Sequence, residues 1–299
     1  MKFGLRDIDF TRFTDHVITQ ASEDDFSYNI PKSDGLNHVF LSLTNKDKKR
    51  KNSLRLEEDT DSEFVYVMYS GSPEKIQEEV SSEIVVGDNS KLRFHIFCAG
   101  AEETIINHTI NLKIGKNSDV QISFVGISGK DIKTAINVDF LGENSIFNAP
   151  ALLLPESEEH FDFQTFINHN VANCKSKQVV RTIASGNGFA NFFGLIKVAK
   201  DSQKTEAEQV NNNILLSEDA TINSKPQLEI YADDVKCSHG STTGMLDKEA
   251  LFYMRSRGIS EKTAQNLLLM SFIEEVSNSI ESSNDYKKYL QEQIETKFK

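Results

Sequence analysis

Three copies of one short pattern decide the fold: IVVGDNS at residues 84–90, LKIGKNS at 112–118 and DFLGENS at 139–145. Each copy is a short apolar strand that ends in Gly-x-Asn-Ser, and a second strand follows the serine. The glycines are Gly87, Gly115 and Gly142, so the pattern returns after 28 and then 27 residues. Gly and Asn tolerate the positive φ of tight turns, and a fixed period in this range is typical of stacked units that share one core. The repeat therefore predicts a mainly β protein, built as a β-solenoid with two strands in each coil.

Strand-like segments continue on the C-terminal side of the repeats without the glycine marker. Each segment is roughly ten residues long, and turn-like separators such as SGNG (185–188) and SEDA (217–220) divide them. We therefore expect one elongated β domain over residues 84–245.

Residues 1–83 predict a mixed α/β segment ahead of this domain. The stretches 37–45 and 62–70 alternate apolar and polar residues as strands do, and residues 73–83 are expected to form a short helix. The basic stretch TNKDKKRKN (44–52) suits either a solvated hairpin tip or a contact with an acidic partner, and the hairpin tip is favoured.

The pattern changes to a helical period at Asp247, so residues 246–299 predict a C-terminal helical domain. One helix is expected to start at the N-cap Asp247 and to stop at Gly258, and the next to begin at the N-cap Ser260. Apolar residues then mark one face of each later helix: Leu269, Phe272, Ile273, Val276 and Ile280, followed by Tyr286, Tyr289, Leu290 and Ile294. Packing of these faces on the chain's own solenoid is favoured over packing on a second protein.

The composition excludes several classes of function. The net charge of −12 argues against a general nucleic-acid binder. No apolar run approaches the ~20 residues needed to cross a bilayer, and the first residues are too charged for a secretory signal. Neither a P-loop nor a G-x-G-x-x-G motif is present, which argues against nucleotide binding by this chain. We therefore expect a cytoplasmic protein that binds neither membranes nor nucleic acid.

The three cysteines, Cys98, Cys174 and Cys237, limit any metal chemistry. Their odd number and wide spacing argue against a disulfide framework. Three thiols cannot supply a four-cysteine zinc or cluster site, so any such site needs histidine, carboxylate or a partner's ligands. Cys98 is expected in the core, and Cys174, near His169, in a turn rather than in a metal site.

The stretch YADDVKCSHGSTTG (231–244) concentrates the most reactive side chains of the sequence. If it is an extended strand, Cys237 and His239 lie on one face, whereas Asp233 and Asp234 point apart. Three interpretations remain open on residue chemistry. Cys237 and His239 could form half of an iron or zinc site, Cys237 could be a nucleophile with His239 as its base, or both could be structural.

A longer stretch resembles a known family. Residues 211–260, NNNILLSEDATINSKPQLEIYADDVKCSHGSTTGMLDKEALFYMRSRGIS, are similar to the C-terminal half of the SufB/SufD family of iron–sulfur cluster assembly proteins, and more to its SufD branch than to its SufB branch. The resemblance extends upstream to about residue 160 through the F-x-G-x-I-x-V pattern that begins at Phe192. Two features depart from the family: the region before the repeats is short, and Ser-Thr-Thr follows Gly240 in place of Ala-Thr-Val.

The resemblance implies a right-handed parallel β-helix with a C-terminal helical appendage, acting as a non-catalytic scaffold subunit rather than an enzyme. It implies pairing with a SufB-like subunit, or with a second copy, through the end of the β-helix. It also implies docking of a SufC-like ATPase through residues 247–299, which shifts the expectation for these helices toward contact with a partner. By position, His239 and Cys237 would hold part of a transient iron–sulfur cluster or iron at the partner interface, with nothing bound stably by the isolated chain. Two alternatives stay open: a SufB-like homodimeric scaffold and a metal-free β-solenoid interaction protein.

Overall fold

The computed structural model describes residues 27–30, 36–43, 47–70 and 74–298, and these form a parallel β-solenoid followed by three helices. All the strand pairs are parallel, and odd-numbered and even-numbered strands form separate eight-stranded sheets. Each coil therefore gives one strand to each sheet. The predicted mainly β solenoid with two strands per coil is confirmed. The expectation that the first residues are not a secretory signal concerns residues 1–26, which lie outside the described part of the chain.

The first sheet, sheet A, contains these strands: β1 (Ser27–Ile30), β3 (Lys48–Leu56), β5 (Ile76–Val86), β7 (Thr104–Ile114), β9 (Asp131–Phe140), β11 (His160–His169), β13 (Phe189–Val198) and β15 (Thr221–Ile230). Sheet B contains the others: β2 (Leu36–Leu43), β4 (Asp61–Ser70), β6 (Lys91–Gly100), β8 (Asp119–Ser128), β10 (Ile146–Leu153), β12 (Lys175–Ala184), β14 (Glu206–Leu215) and β16 (Lys236–Met245). The helices are α1 (Lys248–Ser256), α2 (Glu261–Ser279) and α3 (Asn284–Lys297).

The Gly-x-Asn-Ser repeats form one stacked corner of the solenoid. Asn89, Asn117 and Asn144 adopt φ of 55°, 56° and 62°, and the Asn117 amide donates to the Asn89 side chain at 3.0 Å. The serines stack beside them, because the Ser118 backbone N–H donates to Ser145 Oγ at 3.0 Å. The period of the sequence is thus the length of one coil at this corner.

The repeat glycines allow neighbouring coils to approach each other closely. Positive φ occurs at the asparagines and not at these glycines. A Cβ built on Gly142 would lie 2.1 Å from the backbone nitrogen of Lys116 in the previous coil, and one on Gly115 would lie 2.5 Å from Asp88 Oδ1. At Gly115 and Gly142, the backbone of the previous coil therefore occupies space that a side chain would need.

Substitution of Gly142 by alanine is expected to destabilise the chain by about 1–3 kcal/mol, the usual cost of forcing atoms into a close-packed site. The urea midpoint should fall relative to the wild type. Gly244→Ala is the matched control, because a Cβ there meets no atom within 4 Å. Equal midpoints for Gly142→Ala and Gly244→Ala would contradict this explanation of the repeat.

The interior of the solenoid is an apolar column that alternate residues of both sheets fill. Phe94, Ile122 and Phe163 are among its fully buried members. Cys98 lies in this core, as predicted. Cys174 occupies the serine position of the next coil, where its Sγ donates to Gly142 O at 3.4 Å, just as Ser145 Oγ donates to Gly115 O at 2.6 Å. Cys174 is therefore a structural residue of the stacked corner.

Two predictions for the first part of the chain are wrong. Residues 76–83 belong to strand β5 and not to a helix, since alternate residues such as Ile76 and Val80 are buried. The described part of 44–52 forms the start of β3 and not a hairpin tip, because Arg50 and Asn52 point into the solenoid. The proposed boundary at residue 83 lies within β5, and strands from both sides of it pair in the same sheets.

The C-terminal helices begin at the predicted caps. The Asp247 side chain accepts from the backbone N–H groups of Glu249 and Ala250, and that of Ser260 accepts from Thr263. Helices α2 and α3 bury their apolar faces against the outer face of sheet B. Tyr286 stacks on His95 with ring centroids 4.5 Å apart. The predicted packing on the chain's own solenoid is thus confirmed for these two helices.

Ion pairs at the rim reinforce this packing. Arg181 of β12 bonds to Glu275 of α2, and Arg93 of β6 bonds to Glu281 at 2.6 Å. The guanidinium groups of both arginines are buried while the carboxylates reach solvent. Helix α2 and the segment that follows it are therefore held on sheet B by apolar contacts and by charge-assisted bonds.

Buried histidines make the fold sensitive to acid. Desolvation lowers the pKa of His108 to about 3 and that of His169 to about 4, from the ordinary value of 6.5. Between about pH 6.5 and pH 4 the unfolded chain therefore binds protons that the folded chain does not, and stability falls as the pH falls. Each histidine contributes up to about 1.4 kcal/mol per pH unit in this window. Urea midpoints measured from pH 7.5 to 4 should show a shallower slope in the His108→Gln/His169→Gln variant, and an unchanged slope would contradict the assignment.

Candidate metal-ligand site at the open end of the solenoid

The C-terminal end of the solenoid is open. Among the described strands, β15 is the last of sheet A and β16 is the last of sheet B, so each has a free edge. Most side chains of β16 are exposed, whereas the matching residues of β14, such as Ala207 and Gln209, are buried. The last coil therefore lacks the covering layer that each earlier coil has.

Cys237 and His239 lie in this last coil. Cys237 is in register with Ala207 and His239 with Gln209, and both partners point into the solenoid. The two candidate ligands therefore share the inner face of β16, as the sequence predicted. The stretch 231–244 is not one continuous strand: β15 ends at Ile230, residues 231–235 form a corner, and β16 begins at Lys236.

The paired aspartates belong to that corner. Asp233 and Asp234 are exposed. The backbone of Asp234 holds the turn, since its N–H donates to Gln203 Oε1 at 2.9 Å and its carbonyl accepts from the backbone N–H of Lys204. Their placement in a turn outside β16 gives them a role in chain reversal.

Cys237 is half-buried and packs against the apolar core. Burial raises the pKa of its thiol above the ordinary value, and a bond from the Ala207 backbone only partly offsets this. The thiol form is therefore favoured near neutral pH, which argues against an activated nucleophile. His239 is exposed, so its ring is open to a ligand or a partner.

The inner face of the last two coils is polar, a feature that the sequence reasoning missed. Gln209, Asn211 and Asn213 are buried at positions where β10, two coils earlier, carries only apolar side chains. Ser241 of β16 bonds to Ser224 of β15 at 2.7 Å, which bridges the two sheets at the open end. The signal in the sequence is the alternation Gln-x-Asn-x-Asn, which follows the alternating apolar residues of β13.

A groove runs beside Cys237 on the outer face of sheet B. It has a volume of about 540 Å³, and its lining includes Lys177, Glu206, Glu208 and Lys236. Its charges are paired, since Lys177 bonds to Glu208 at 2.9 Å. Within the described ranges, no three side chains of histidine, cysteine, aspartate or glutamate are gathered as a metal site would require. Among the described residues, Cys237 and His239 are thus a pair of candidate donors without a third of these types beside them.

A second exposed surface lies on the helices. Helix α1 has no buried residue, and Phe252 and Tyr253 are 74% and 60% exposed. Leu267, on the side of α2 that faces away from sheet B, is 50% exposed. We name Phe252, Tyr253 and Leu267 the helical patch. No helix among the described residues is long and apolar enough to cross a membrane.

Comparison with known proteins matches residues 43–272 to one family, described as the SUF system FeS cluster assembly, SufBD core domain. The iron–sulfur cluster assembly protein SufD of Escherichia coli is 42% identical over 154 residues, which is 52% of this chain and 36% of that protein. A SufBD family protein of Synechocystis is 30% identical over 201 residues, covering 67% of this chain and 44% of the relative. The chloroplastic protein ABCI7 of Arabidopsis thaliana is 32% identical over 198 residues, covering 65% and 41%. The chain thus spans less than half of the length of these relatives.

Proposed function

The chain belongs to the SufBD family of the SUF iron–sulfur cluster assembly system, and we propose that it is a SufD-like scaffold subunit that completes a cluster site only when a partner covers its open end. One observation carries the proposal: Cys237 and His239 lie together on the inner face of the uncovered last strand. Two donors from one chain leave the ligand set incomplete, and a partner at the same end can complete it.

The free edge of β16 supports pairing at this end. The backbone N–H of Lys236 donates to Thr205 O on the β14 side. Because alternate residues of a parallel strand bond the same neighbour, the N–H groups of Cys237, His239 and Ser241 face the free edge. On β15, the backbone groups of the even-numbered residues face the free edge, since Thr221 and Tyr231 donate their N–H groups to residues on the β13 side. One of these even-numbered residues is Pro226, which has no N–H to donate. Strand β16 is therefore the better edge for a SufB-like subunit to extend.

His239 is the better ligand of the pair. Its ring is exposed, and imidazole binds iron and zinc. The Cys237 thiol has a raised pKa and is packed on the core, so its ionisation requires a change in its surroundings. A partner or a bound metal at the interface supplies such a change.

The helical patch is the proposed docking surface for a SufC-like ATPase. Helices α2 and α3 are committed to sheet B, which leaves α1 and the outward side of α2 exposed. Strand β16 ends at Met245 and α1 begins at Lys248, so a short link joins the docking helix to the strand that carries His239. ATP-driven closure of the ATPase would pull α1 and thereby open the paired end.

Replacement of both Phe252 and Tyr253 by alanine is expected to weaken ATPase binding by at least about tenfold, because large aromatic side chains dominate most interfaces. Isothermal titration with the purified SufC-like protein measures the loss. Leu141→Ala is the matched control: Leu141 is 59% exposed at a corner of the solenoid, outside the helices. Equal loss in both variants, or none in the first, would contradict the docking assignment.

Co-expression with a SufB-like and a SufC-like protein tests the proposal as a whole. We expect a stable complex, with cluster assembly that needs all three proteins and no turnover by the isolated chain. A stable cluster reconstituted on this chain alone would instead identify a SufB-like homodimeric scaffold. Failure to join the other two proteins, with no effect on iron–sulfur enzymes in cells, would identify a metal-free interaction protein.

A further inference from the structure

A column of residues inside sheet B ends at His239. Ala149, Gln178, Gln209 and His239 are in register on neighbouring strands, so their side chains stack on one inner face. The first three are fully buried, and His239 is exposed at the end of the column. Gln209 is therefore the buried residue directly beneath His239.

Within the described part of the chain, the hydrogen bonds of this column leave the side-chain oxygen of Gln209 without a partner. Thr165 Oγ1 donates to Gln178 Oε1 at 2.7 Å, and Gln209 Nε2 donates to the same oxygen at 3.3 Å. Gln209 Oε1 has no hydrogen-bond partner among the described residues, although it is buried. The amide nitrogen of Gln209 is therefore engaged on the β12 side, and its oxygen remains an acceptor beside His239, the residue of β16 that is in register with Gln209.

Gly194 on the opposite sheet holds the Gln209 side chain in this orientation. A Cβ on Gly194 would lie 1.9 Å from Gln209 Nε2. The Gln209 amide thus crosses the solenoid and rests against the backbone of β13, in space that only glycine leaves free. Its packing on one side and its bond to Gln178 on the other limit its rotation.

We propose that Gln209 is a positioning residue for His239: its Oε1 accepts a hydrogen bond from one ring N–H and leaves the other ring nitrogen free to bind metal. A buried acceptor left without a partner costs about 1–3 kcal/mol, so a bond from the adjacent ring is favoured. Histidine ligands generally donate their second ring N–H to such an acceptor, which fixes tautomer and ring orientation. The inference rests on the proposed ligand role of His239.

The tautomer of His239 tests the inference directly. Nitrogen-15 NMR of the histidine-labelled full chain at pH 8.5 distinguishes the two ring nitrogens, and the His239 signal is assigned by its loss in His239→Ala. We expect one tautomer to dominate in the wild type and the ratio to change in Gln209→Met. Gln209→Glu, which keeps an acceptor oxygen, should restore the wild-type ratio. Thr165→Val removes the buried hydroxyl of sheet A that donates to Gln178 but leaves Gln209 Oε1 in place, so the ratio should stay unchanged.

Cluster assembly by the three-protein complex gives the second readout. We expect Gln209→Met to lower the assembly rate by about 10–100-fold, the usual effect of removing a partner of a metal ligand. A mixed tautomer in the wild type, or an unchanged ratio and rate in Gln209→Met, overturns the inference. If His239→Ala assembles clusters at the normal rate, the ligand role fails instead, and the tautomer measurement still decides whether Gln209 orients the ring.

Discussion

Replacing His239 with alanine is expected to abolish cluster assembly while the complex with its partners still forms. The ring is exposed on the last strand and supports no part of the core, so its removal should leave the fold intact. Removal of a ligand should lower the rate of cluster assembly at least as much as removal of a residue that orients the ligand. We therefore expect the rate to decrease by about 100-fold or more. Two measurements test this expectation. One is the rate of cluster formation by the purified complex, and the other is the rescue of iron–sulfur enzyme activity in cells that lack the native protein.

Two neighbours in β16 provide the controls for this experiment. Ser238 lies on the opposite face of the strand, so Ser238→Ala should assemble clusters at the wild-type rate. Cys237→Ser should have a smaller effect than His239→Ala, because the thiol is half-buried and its pKa is raised by burial. Normal assembly by His239→Ala would refute the ligand role.

The second large effect is expected in Ser241→Pro, which should weaken binding of the partner at the free edge of β16. Its N–H faces the free edge of β16, so Ser241→Pro removes a donor from the partner interface and leaves the bonds to β14 in place. Proline also blocks a strand edge sterically. We expect the affinity for the partner to fall by about 10–100-fold, since an unpaired buried backbone group costs roughly 1–3 kcal/mol.

Analytical ultracentrifugation of the chain with its partner measures this affinity. The control is Ser241→Ala, which removes the hydroxyl contacts with Ser224 and Asn211 but keeps the backbone N–H. Pairing at the wild-type affinity in Ser241→Pro would show that the partner does not extend β16. Equal weakening in both variants would show that the hydroxyl, and not the strand edge, holds the partner.

The repeat and the helix signals predicted most of the architecture. The fixed spacing of Gly87, Gly115 and Gly142 reports coil length directly, because each coil must return to the same corner. Caps at Asp247 and Ser260 are local signals, so they could be found without knowledge of the fold. The structural reason for the glycines was missed, because close approach between coils is a long-range property.

The predicted strands at 37–45 and 62–70 correspond to β2 and β4, but β3 between them was missed because its inner positions carry polar side chains. Arg50 and Asn52 point inward, and Arg50 pairs with Glu78 at 3.0 Å inside the solenoid. A sequence pattern that counts apolar residues assigns such a strand to the surface. The same limit explains Gln209, whose importance depends on its neighbours Gln178 and Gly194 in space.

The candidate ligands could be found in the sequence, but their relative roles could not. Spacing placed Cys237 and His239 on one face of a strand and left three interpretations open. The structure adds that this strand is the last of its sheet, that the thiol is half-buried and that the imidazole is exposed. The exposure of His239 at the end of the stacked coils depends on the whole fold, so residues 231–244 alone could not predict it.

Direct detection of a nitrogen ligand is the most decisive test of a cluster site at the open end. In the three-protein complex, only this chain carries nitrogen-15 histidine, and pulsed electron paramagnetic resonance is recorded on the reduced cluster. We predict a nitrogen-15 coupling typical of a bound imidazole in the wild type, and its absence from any residual cluster in His239→Ala. A paramagnetic cluster without nitrogen-15 coupling in the wild type, or with the same coupling in His239→Ala, would contradict the account.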